Sequence, residues 1–236
     1  MTSALLLDVE GTTTPIDFVA NVLFPFARQH VKGFVARHRE AAPVRDDLAL
    51  LRNDVLDEAA RGEKPPVWAD DEASVEAVVH WLMDRDRKST GLKSLQGRIW
   101  EEGYRSGELR AVVFDDVPPA LQRWSRLDRT CAIYSSGSVL AQKLLFSNTQ
   151  AGDLTPLLRA HFDTTIGPKK EAESYRRIAR ELEAAPAEVL FLSDVRAEVD
   201  AAATAGMKTR LCVRPGNAPA DPGPHAVIRS FSELTD

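Results

Sequence analysis

The stretch of sequence that decides the fold is ALLLDVEGTTTP, at residues 4–15. Its first four residues are continuously apolar, which is typical of a short strand buried on both faces of a parallel sheet. Asp8 and Gly11 follow directly, as expected where such a strand gives way to a tight turn. The stretch therefore predicts the first strand of a parallel sheet, with polar groups at its carboxyl end.

Four further short apolar runs predict the other strands of this sheet. Each run is separated from the next by a segment of helix length. The runs are Thr130 to Tyr134, Phe162 to Ile166, Val189 to Leu192 and Thr209 to Val213. This alternation predicts an α/β fold with a doubly wound parallel sheet.

Between residues 17 and 110 the apolar residues change to helical spacing. They form four groups: Val19, Leu23 and Phe26; Leu48, Leu51 and Val55; Val75, Val78, Val79 and Leu82; Leu92, Leu95 and Ile99. We therefore expect a helical cap domain at residues 17–110, inserted into an α/β core made of residues 1–16 and 111–236. Pro25 is expected to kink or split the first helix. Open α/β sheets bind ligands at the carboxyl ends of their strands, where the cap would cover the site.

The composition argues against several classes of protein. A formal net charge of -5 and a pI near 5.6 give no broad basic field, so neither nucleic acid nor an anionic membrane is an expected partner. Cys131 and Cys212 lie in apolar, strand-like surroundings, which favours reduced core thiols and a cytoplasmic protein. We expect no signal peptide or membrane anchor, because no stretch approaches the roughly 18 apolar residues that a membrane span requires.

An acidic pair, Asp8 and Glu10, stands at the end of the first predicted strand. In phosphoryl transfer one carboxylate can be nucleophile and metal ligand while a second acts as acid or base. The backbone N–H groups of the turn at Gly11 and a threonine hydroxyl can hold phosphate. The alternative is an aspartate that only caps the transition from strand to turn.

Hydroxyl groups follow the second predicted strand in the segment YSSGS, at residues 134–138. A helical pattern begins directly afterwards, and the start of a helix binds phosphate well. A hydroxyl group of this segment is therefore a candidate phosphate ligand. The alternative is that Ser136 or Ser138 is only the N-cap of the helix.

A lysine and a further acid follow the next two strands. Lys169 is placed to neutralise the charge of a phosphate, although paired lysines such as Lys169 and Lys170 are usually solvated. Asp194 is placed to bind Mg²⁺, with Glu198 orienting a ligand or a water from outside the metal's own ligands. The alternative for Asp194 is a helix N-cap.

The joint pattern favours one phosphoryl-transfer site. Four successive strand ends supply an acid pair, a hydroxyl, a lysine and an acid, which one such site can use together. The five histidines show no metal-ligand spacing, and no serine-histidine-acid arrangement competes.

These residues resemble the haloacid dehalogenase superfamily, whose four motifs map onto Asp8 with Glu10, Ser135, Lys169 and Asp194. That superfamily has a helical cap after its first motif and commonly a second aspartate where this chain has Glu10. Five strings resemble its enolase-phosphatase branch in particular: DVEGTTTPI at 8–16, YSSGSV at 134–139, AQKLLF at 141–146, VRPGN at 213–217, and LQG at 95–97 followed by Trp100.

The resemblance implies two consecutive steps of methionine salvage. They are enolisation of 2,3-diketo-5-methylthiopentyl-1-phosphate and removal of its phosphate to give the acireductone. It also implies a monomer that needs one Mg²⁺ per chain and has a small phosphorylated diketone as its partner. In the cap, Lys93, Gln96 and Trp100 could face the carbon chain of the substrate or simply pack.

Carried over residue by residue, the resemblance places Asp8, Glu10 and Asp194 around the metal. Ser135 and Ser136 then hold the substrate and Lys169 grips the phosphate. Glu10 offers Mg²⁺ either its side chain or its backbone carbonyl. If it uses the carbonyl, its carboxylate is free to act as the hypothetical base for enolisation.

Two rival functions stay open at this stage. The first is a phosphatase of sugar phosphates or phosphoglycolate from the same superfamily, without the enolase step. The second is a receiver-like module that only accepts phosphate on its aspartate. The long helical insertion argues against the module, which is normally a compact single domain.

Overall fold

The computed structural model describes residues 2–87, 89–219 and 221–234. The chain divides into two compact units. Residues 1–19 and 110–236 form the first, called the sheet unit here, and residues 20–109 form the second, the helical unit.

The sheet unit contains a six-stranded, wholly parallel sheet. Its strands are β1 (Ala4–Leu7), β2 (Thr130–Tyr134), β3 (Ala160–Phe162), β4 (Val189–Ser193), β5 (Lys208–Cys212) and β6 (Val227–Ile228). Their order is β3-β2-β1-β4-β5-β6, so the sheet grows in both directions from β1. The predicted doubly wound α/β fold is confirmed.

Helices connect the strands of this unit. They are α1 (Ile16–Phe18), α6 (Val117–Arg126), α7 (Val139–Ser147), α8 (Ala172–Glu181) and α9 (Arg196–Thr204). Pro118 and Pro119 stand in the first turn of α6. Backbone N–H groups in the first turn have no hydrogen-bond partner within the helix, so proline, which lacks the N–H, breaks no bond there.

The third predicted strand was wrong in its position. It ends at Phe162 instead of beginning there, because Asp163 closes a turn: its Oδ1 accepts the N–H of Thr165 at 2.9 Å and the Thr165 hydroxyl at 2.6 Å. An aspartate that binds the backbone two residues later competes with strand pairing. The two-residue strand β6 was not predicted.

Tyrosines in the core fix the loop that follows β3. Tyr134 and Tyr175 are fully buried, and their rings meet edge to face at 5.5 Å. The Tyr134 hydroxyl donates to the carbonyl of Gly167 at 2.8 Å, and the Tyr175 hydroxyl donates to the carbonyl of Lys169 at 2.6 Å. Buried phenols need such partners, so the core holds the Lys169 loop at two points.

The helical unit consists of helices α2 (Phe24–His38), α3 (Ala42–Ala60), α4 (Glu72–Asp84) and α5 (Thr90–Ser106). α2 packs against α4 and α5, and α3 packs against α5. Asp71 and Ser89 cap α4 and α5 by accepting backbone N–H groups. Among the described residues, no helix combines the length and the apolar composition that a membrane crossing requires.

The interruption expected at Pro25 is a change of helix type. A π-helical segment, Val19–Leu23, runs into α2, and Pro25 stands in the first turn of α2. Proline cannot donate to the carbonyl four residues earlier, so a regular α-helix cannot pass through it unchanged.

Two residues that were considered for substrate contact are buried inside the helical unit. Gln96 is 4% exposed and Trp100 is 8% exposed. The Trp100 indole N–H donates to the carbonyl of Leu23 at 2.8 Å. For Trp100 the structure therefore shows the packing alternative.

Candidate active site

Asp8 lies at the carboxyl end of the strand from which the sheet grows in both directions. Leu7 pairs with Ile133 of β2 and with Leu192 of β4, so the residues that follow these three lie side by side at one edge of the sheet. Asp8 is 4% exposed, and its Oδ1 accepts the N–H of Val9 at 2.8 Å. The sheet register thus holds a buried carboxylate among three neighbouring strand ends.

Lys169 reaches this carboxylate from the loop after β3. Its Nζ lies 2.6 Å from Oδ1 of Asp8 and 2.7 Å from Oε2 of Glu198. Burial lowers the pKa of the Lys169 ammonium group, but the charges of Asp8 and Glu198 outweigh burial and raise that pKa above its usual value. The lysine is therefore positively charged at neutral pH, although it is nearly buried.

Ser193, which sequence reasoning missed, links the two acids. Its Oγ lies 3.0 Å from Oδ2 of Asp8 and 3.1 Å from Oε2 of Glu198, and it accepts the N–H of Val195. A hydroxyl group has one proton, so it donates to only one of the two carboxylates at a time. Ser193 ends a buried strand, and its contact with Asp8 depends on the register between β4 and β1, which local sequence does not encode.

Glu198 lies in the first turn of α9, where the sequence placed it. It contacts Lys169 and Ser193 and is 7% exposed. Burial and then the charge of Asp8 raise the pKa of the Glu198 carboxyl group to about 7, although Lys169 opposes the increase. Glu198 thus orients the lysine, and the expectation that it also orients a metal ligand or a water stays a prediction.

Asp194 packs against the backbone of Gly11. Gly11 has a φ of +69°, and a Cβ atom there would lie 2.3 Å from Oδ2 of Asp194. Burial raises the pKa of the Asp194 carboxyl group to about 7, and the negative charges of Asp8 and Glu10 add to this increase. Asp8, Glu10 and Asp194 are therefore close enough to sense one another's charge.

Glu10 differs from the other two acids because its side chain is exposed. Its backbone pairs with Thr14 across the turn. In the part of the chain that the structure describes, no group of three or more histidine, cysteine or acidic side chains could hold a metal ion. The assignment of Glu10 as a metal ligand stays a prediction.

The two serines after β2 differ in their surroundings. Ser135 is buried; its N–H donates to the carbonyl of Phe162 at 3.1 Å, and its Oγ accepts the N–H of Gly137 at 3.1 Å. Ser136 is half-buried. The N-cap of α7 is Ser138, whose Oγ accepts the N–H of Ala141, so the capping alternative does not apply to Ser136.

The turn after Asp8 is held together by hydrogen bonds between its own groups. Thr12, Thr13 and Thr14 are fully buried, and their backbone N–H groups all donate to the carbonyl of Val9. The Thr13 hydroxyl lies 3.0 Å from the Asp8 carbonyl and 3.1 Å from that of Val9. The N–H groups of these threonines and the Thr13 hydroxyl therefore hold the shape of the loop, whereas Thr12 Oγ1 and Thr14 Oγ1 are buried without a hydrogen-bond partner among the described residues. The expectation that turn N–H groups and a threonine hydroxyl bind phosphate stays a prediction.

The oxygen atoms around Asp194 fit a hard divalent cation. Asp8 and Asp194 are acids whose mutual repulsion a cation would relieve. The Asn217 Oδ1 is buried without a hydrogen-bond partner among the described residues and lies 3.1 Å from the Cβ position of Gly11, beside the carboxylate of Asp194. Mg²⁺ is commonly held by one or two carboxylates together with substrate phosphate and water, which does not need a third acidic side chain.

Comparisons with known proteins agree with this geometry. Residues 2–206 match the family model described as haloacid dehalogenase-like hydrolase. The chain is 55% identical over 234 residues to enolase-phosphatase E1 of Synechococcus elongatus, covering 98% of this chain and 97% of the relative. It is 49% identical over 232 residues to the enzyme of the same name from Thioalkalivibrio sulfidiphilus, covering 98% of each.

A solved structure extends the similarity to the whole fold. The crystal structure of the UTR4 protein of Saccharomyces cerevisiae matches with a TM-score of 0.82 at 36% identity. The match covers 99% of this chain and 100% of the yeast chain.

Proposed function

This chain belongs to the enolase-phosphatase E1 family of the haloacid dehalogenase-like hydrolases, and on that premise we propose that Asp8 is the nucleophile of its phosphatase step. The protein is a phosphoric monoester hydrolase of methionine salvage. It enolises 2,3-diketo-5-methylthiopentyl-1-phosphate and hydrolyses the phosphate, which gives the acireductone 1,2-dihydroxy-3-keto-5-methylthiopentene. The family recognised from the sequence motifs is confirmed, and with it the enzyme class.

One observation supports the choice of Asp8 above the others. Its buried carboxylate stands at the end of β1 with the ammonium group of Lys169 at 2.6 Å. A nucleophile that attacks a phosphate monoester must approach a negatively charged group, so a cation at the point of attack lowers the barrier. Asp8 and Lys169 supply both parts.

In the phosphatase step a carboxylate oxygen of Asp8 forms a bond to phosphorus. The bond between phosphorus and the enol oxygen breaks, and its electron pair leaves with that oxygen. Water then attacks phosphorus of the aspartyl phosphate, which releases inorganic phosphate and restores Asp8. Lys169 neutralises the phosphate oxygens throughout, while Glu198 and the Tyr175 contact to its backbone hold it in place.

A divalent metal is implied by the family, and we assign Mg²⁺ to it. Asp8 and Asp194 would hold the ion, with Glu10 contributing its backbone carbonyl or its side chain. When bound, the ion supplies positive charge that screens the phosphate from the carboxylates and polarises a substrate carbonyl.

The enolase step needs a base that removes a proton from the carbon next to a carbonyl group. Glu10 is the proposed base, because its side chain is exposed, whereas Asp8 is buried and Asp194 half-buried. Ser135 and Ser136, at the end of β2, are proposed to bind the substrate. We further propose that the protein is a cytoplasmic monomer without a nucleic-acid partner.

A single assay tests both steps. Protein, Mg²⁺ and the diketone phosphate are mixed while enol absorbance and phosphate release are recorded together. We expect the enol signal to rise before phosphate appears. If the diketone phosphate is a poor substrate while ordinary sugar phosphates are hydrolysed well, the substrate assignment is wrong.

Variants separate the two roles in this assay. Glu10→Gln should slow enol formation, and an unchanged enolisation rate would remove Glu10 from that role. Asp8→Asn should lower the rate of phosphate release by several powers of ten, because the nucleophile is lost while the side chain keeps its shape.

A further inference from the structure

We propose that Arg214 and Asn217 are positioning residues of this active site: they hold the loop that follows Asp8 and, through Gly11, fix the place of Asp194. Both residues belong to the turn after β5, which the motif VRPGN contributes. The inference rests on the proposed function of Asp8 and Asp194. It gives a role in the chemistry to that turn, which brings Asn217 Oδ1 close to Asp194 but carries none of the residues proposed above to hold the ion or the substrate.

The loop at residues 9–14, called the Asp8 loop here, is held by hydrogen bonds to its carbonyl groups. Within the loop the carbonyl of Val9 accepts the N–H groups of Thr12, Thr13 and Thr14, and the carbonyl of Thr14 accepts the N–H of Gly11. The carbonyls of Gly11, Thr12 and Thr13 instead accept hydrogen bonds from outside the loop. The donors are Asn217 Nδ2 at 2.9 Å, Arg214 Nε at 3.0 Å and the backbone N–H of Phe114 at 3.0 Å, in that order. Two of these three restraints are side chains of one short turn.

Arg214 is itself held too firmly to follow a moving loop. Its side chain is 3% exposed, and its Nη1 donates to Asp116 Oδ2 at 2.7 Å and to the carbonyl of Arg229 at 2.9 Å. The guanidinium group also lies between aromatic rings, 4.7 Å from that of Phe114 and 4.5 Å from that of Phe231. A planar guanidinium group that is held by an ion pair and two aromatic rings is a fixed hydrogen-bond donor for the Thr12 carbonyl.

Asn217 connects the Asp8 loop to the end of β5. Its Nδ2 donates to the carbonyl of Gly11 at 2.9 Å and lies 3.4 Å from the carbonyl of Cys212. Its own N–H donates to the carbonyl of Arg214, so the turn braces itself. One amide group thus ties the loop to the sheet.

Gly11 transmits this restraint to Asp194. A Cβ at Gly11 would lie 2.3 Å from Asp194 Oδ2 and 3.1 Å from Asn217 Oδ1. The carboxylate of Asp194 therefore packs directly on the backbone that Asn217 holds. If Gly11 shifts by a few tenths of an ångström, the carboxylate of Asp194 moves relative to that of Asp8. The affinity for a cation shared by the two carboxylates depends on this separation.

The test compares two asparagines of the sheet unit. Asn217→Ala removes the bond to Gly11, while Asn148→Ala removes an equivalent bond from a half-buried asparagine to the carbonyl of Leu144, at 2.8 Å, in the last turn of α7. For each protein three quantities are measured: Mg²⁺ affinity by titration calorimetry without substrate, kcat and KM for the diketone phosphate, and Tm.

The positioning role predicts a specific split between these quantities. In Asn217→Ala the Mg²⁺ Kd should rise and kcat should fall, each by about 10-fold or more, with KM changed by less than about 3-fold. In Asn148→Ala the Kd and kcat should stay at wild-type values, even if Tm falls by a similar amount in both variants. Arg214→Lys, which keeps the charge but loses the fork, should behave like Asn217→Ala.

Unchanged Mg²⁺ affinity and kcat in a folded Asn217→Ala protein would overturn the inference. So would an equal loss in Asn148→Ala, since that would show only general destabilisation. If the wild-type protein itself neither binds Mg²⁺ nor hydrolyses the diketone phosphate, the proposed function fails instead.

Discussion

The Nζ of Lys169 lies 2.6 Å from Oδ1 of Asp8, and both side chains are nearly buried. The sequence separates these residues by 161 positions, so only the fold brings them together. The proposed nucleophile and the cation proposed to neutralise its target are therefore paired before the substrate arrives. Glu198, at 2.7 Å from the same ammonium group, keeps the lysine in place.

Loss of this cation should slow phosphate release far more than it harms folding. Lys169→Met is expected to lower kcat/KM for the diketone phosphate by about 100- to 1,000-fold, because the ammonium group that neutralises the phosphate next to Asp8 is lost. The control is Lys170→Met, since Lys170 is the exposed neighbour. Steady-state phosphate release measures both, and equal activity of the two variants would contradict the role of Lys169.

Gly11 should be required for activity as well as for the left-handed conformation of its backbone. Gly11→Ala places a Cβ where the carboxylate of Asp194 lies, whereas Gly152→Ala, at a φ of +94°, meets no atom within 4 Å. Both variants carry the left-handed backbone cost of about 1–2 kcal/mol. Only Gly11→Ala should also lose activity, by about 100-fold, because Asp194 is displaced.

The comparison needs only urea unfolding and initial rates. A stability loss in Gly11→Ala that equals or exceeds that in Gly152→Ala, with activity lost only in Gly11→Ala, would support the contact between Gly11 and Asp194. Full activity in Gly11→Ala would exclude it.

Asp194 should destabilise the metal-free protein as the pH rises. Its pKa is raised to about 7 in the folded state, so between about pH 4 and pH 7 the folded protein binds a proton that the unfolded chain releases. Stability contributed by this group is thus present at low pH and lost as the pH passes 7. Asp194→Asn does not titrate, so its advantage over the wild type should grow with pH.

The expected gain of Asp194→Asn between pH 4.5 and pH 8 is about 2 kcal/mol, roughly half of the full pKa shift at 1.36 kcal/mol per unit, because the carboxylate keeps some solvent contact. Urea unfolding in the presence of a chelator measures it. A difference between the two proteins that is independent of pH would contradict the raised pKa.

His161 should have the opposite effect, because it should lower the stability of the folded protein as the pH falls. Burial, with the charge of Lys143, lowers its pKa to about 4. Between pH 6.5 and pH 4 the imidazole of His161 binds a proton in the unfolded chain but not in the folded protein, so stability falls as the pH falls. His161→Gln should lose about 1 kcal/mol less than the wild type between pH 7 and pH 5 in urea unfolding. Identical losses in the two proteins would argue against a lowered pKa.

The sheet could be predicted because its strands are short apolar runs buried on both faces, a pattern with few other interpretations. β1 and β2 have the predicted bounds. The third strand was misplaced because Phe162 to Ile166 contains Asp163, whose turn with Thr165 outweighs the apolar residues around it. The two residues of β6 are too few to form any pattern.

The candidate site was partly predictable for a related reason. Asp8, Lys169 and Asp194 follow predicted strands, so a parallel sheet brings them to one edge. The contact of Ser193 with both Asp8 and Glu198 depends on the register between β1 and β4, which local sequence does not encode. The same holds for Asn217, whose bond to Gly11 joins residues at opposite ends of the chain.

The most direct test is chemical capture of the phosphorylated enzyme. The protein is mixed with Mg²⁺ and excess substrate, quenched in acid within milliseconds and treated with borohydride, which reduces an aspartyl phosphate to homoserine. Tandem mass spectrometry should then find homoserine at position 8, and none when substrate is omitted. Rapid phosphate release with an unmodified Asp8, or with homoserine at another aspartate, would contradict nucleophilic attack by Asp8.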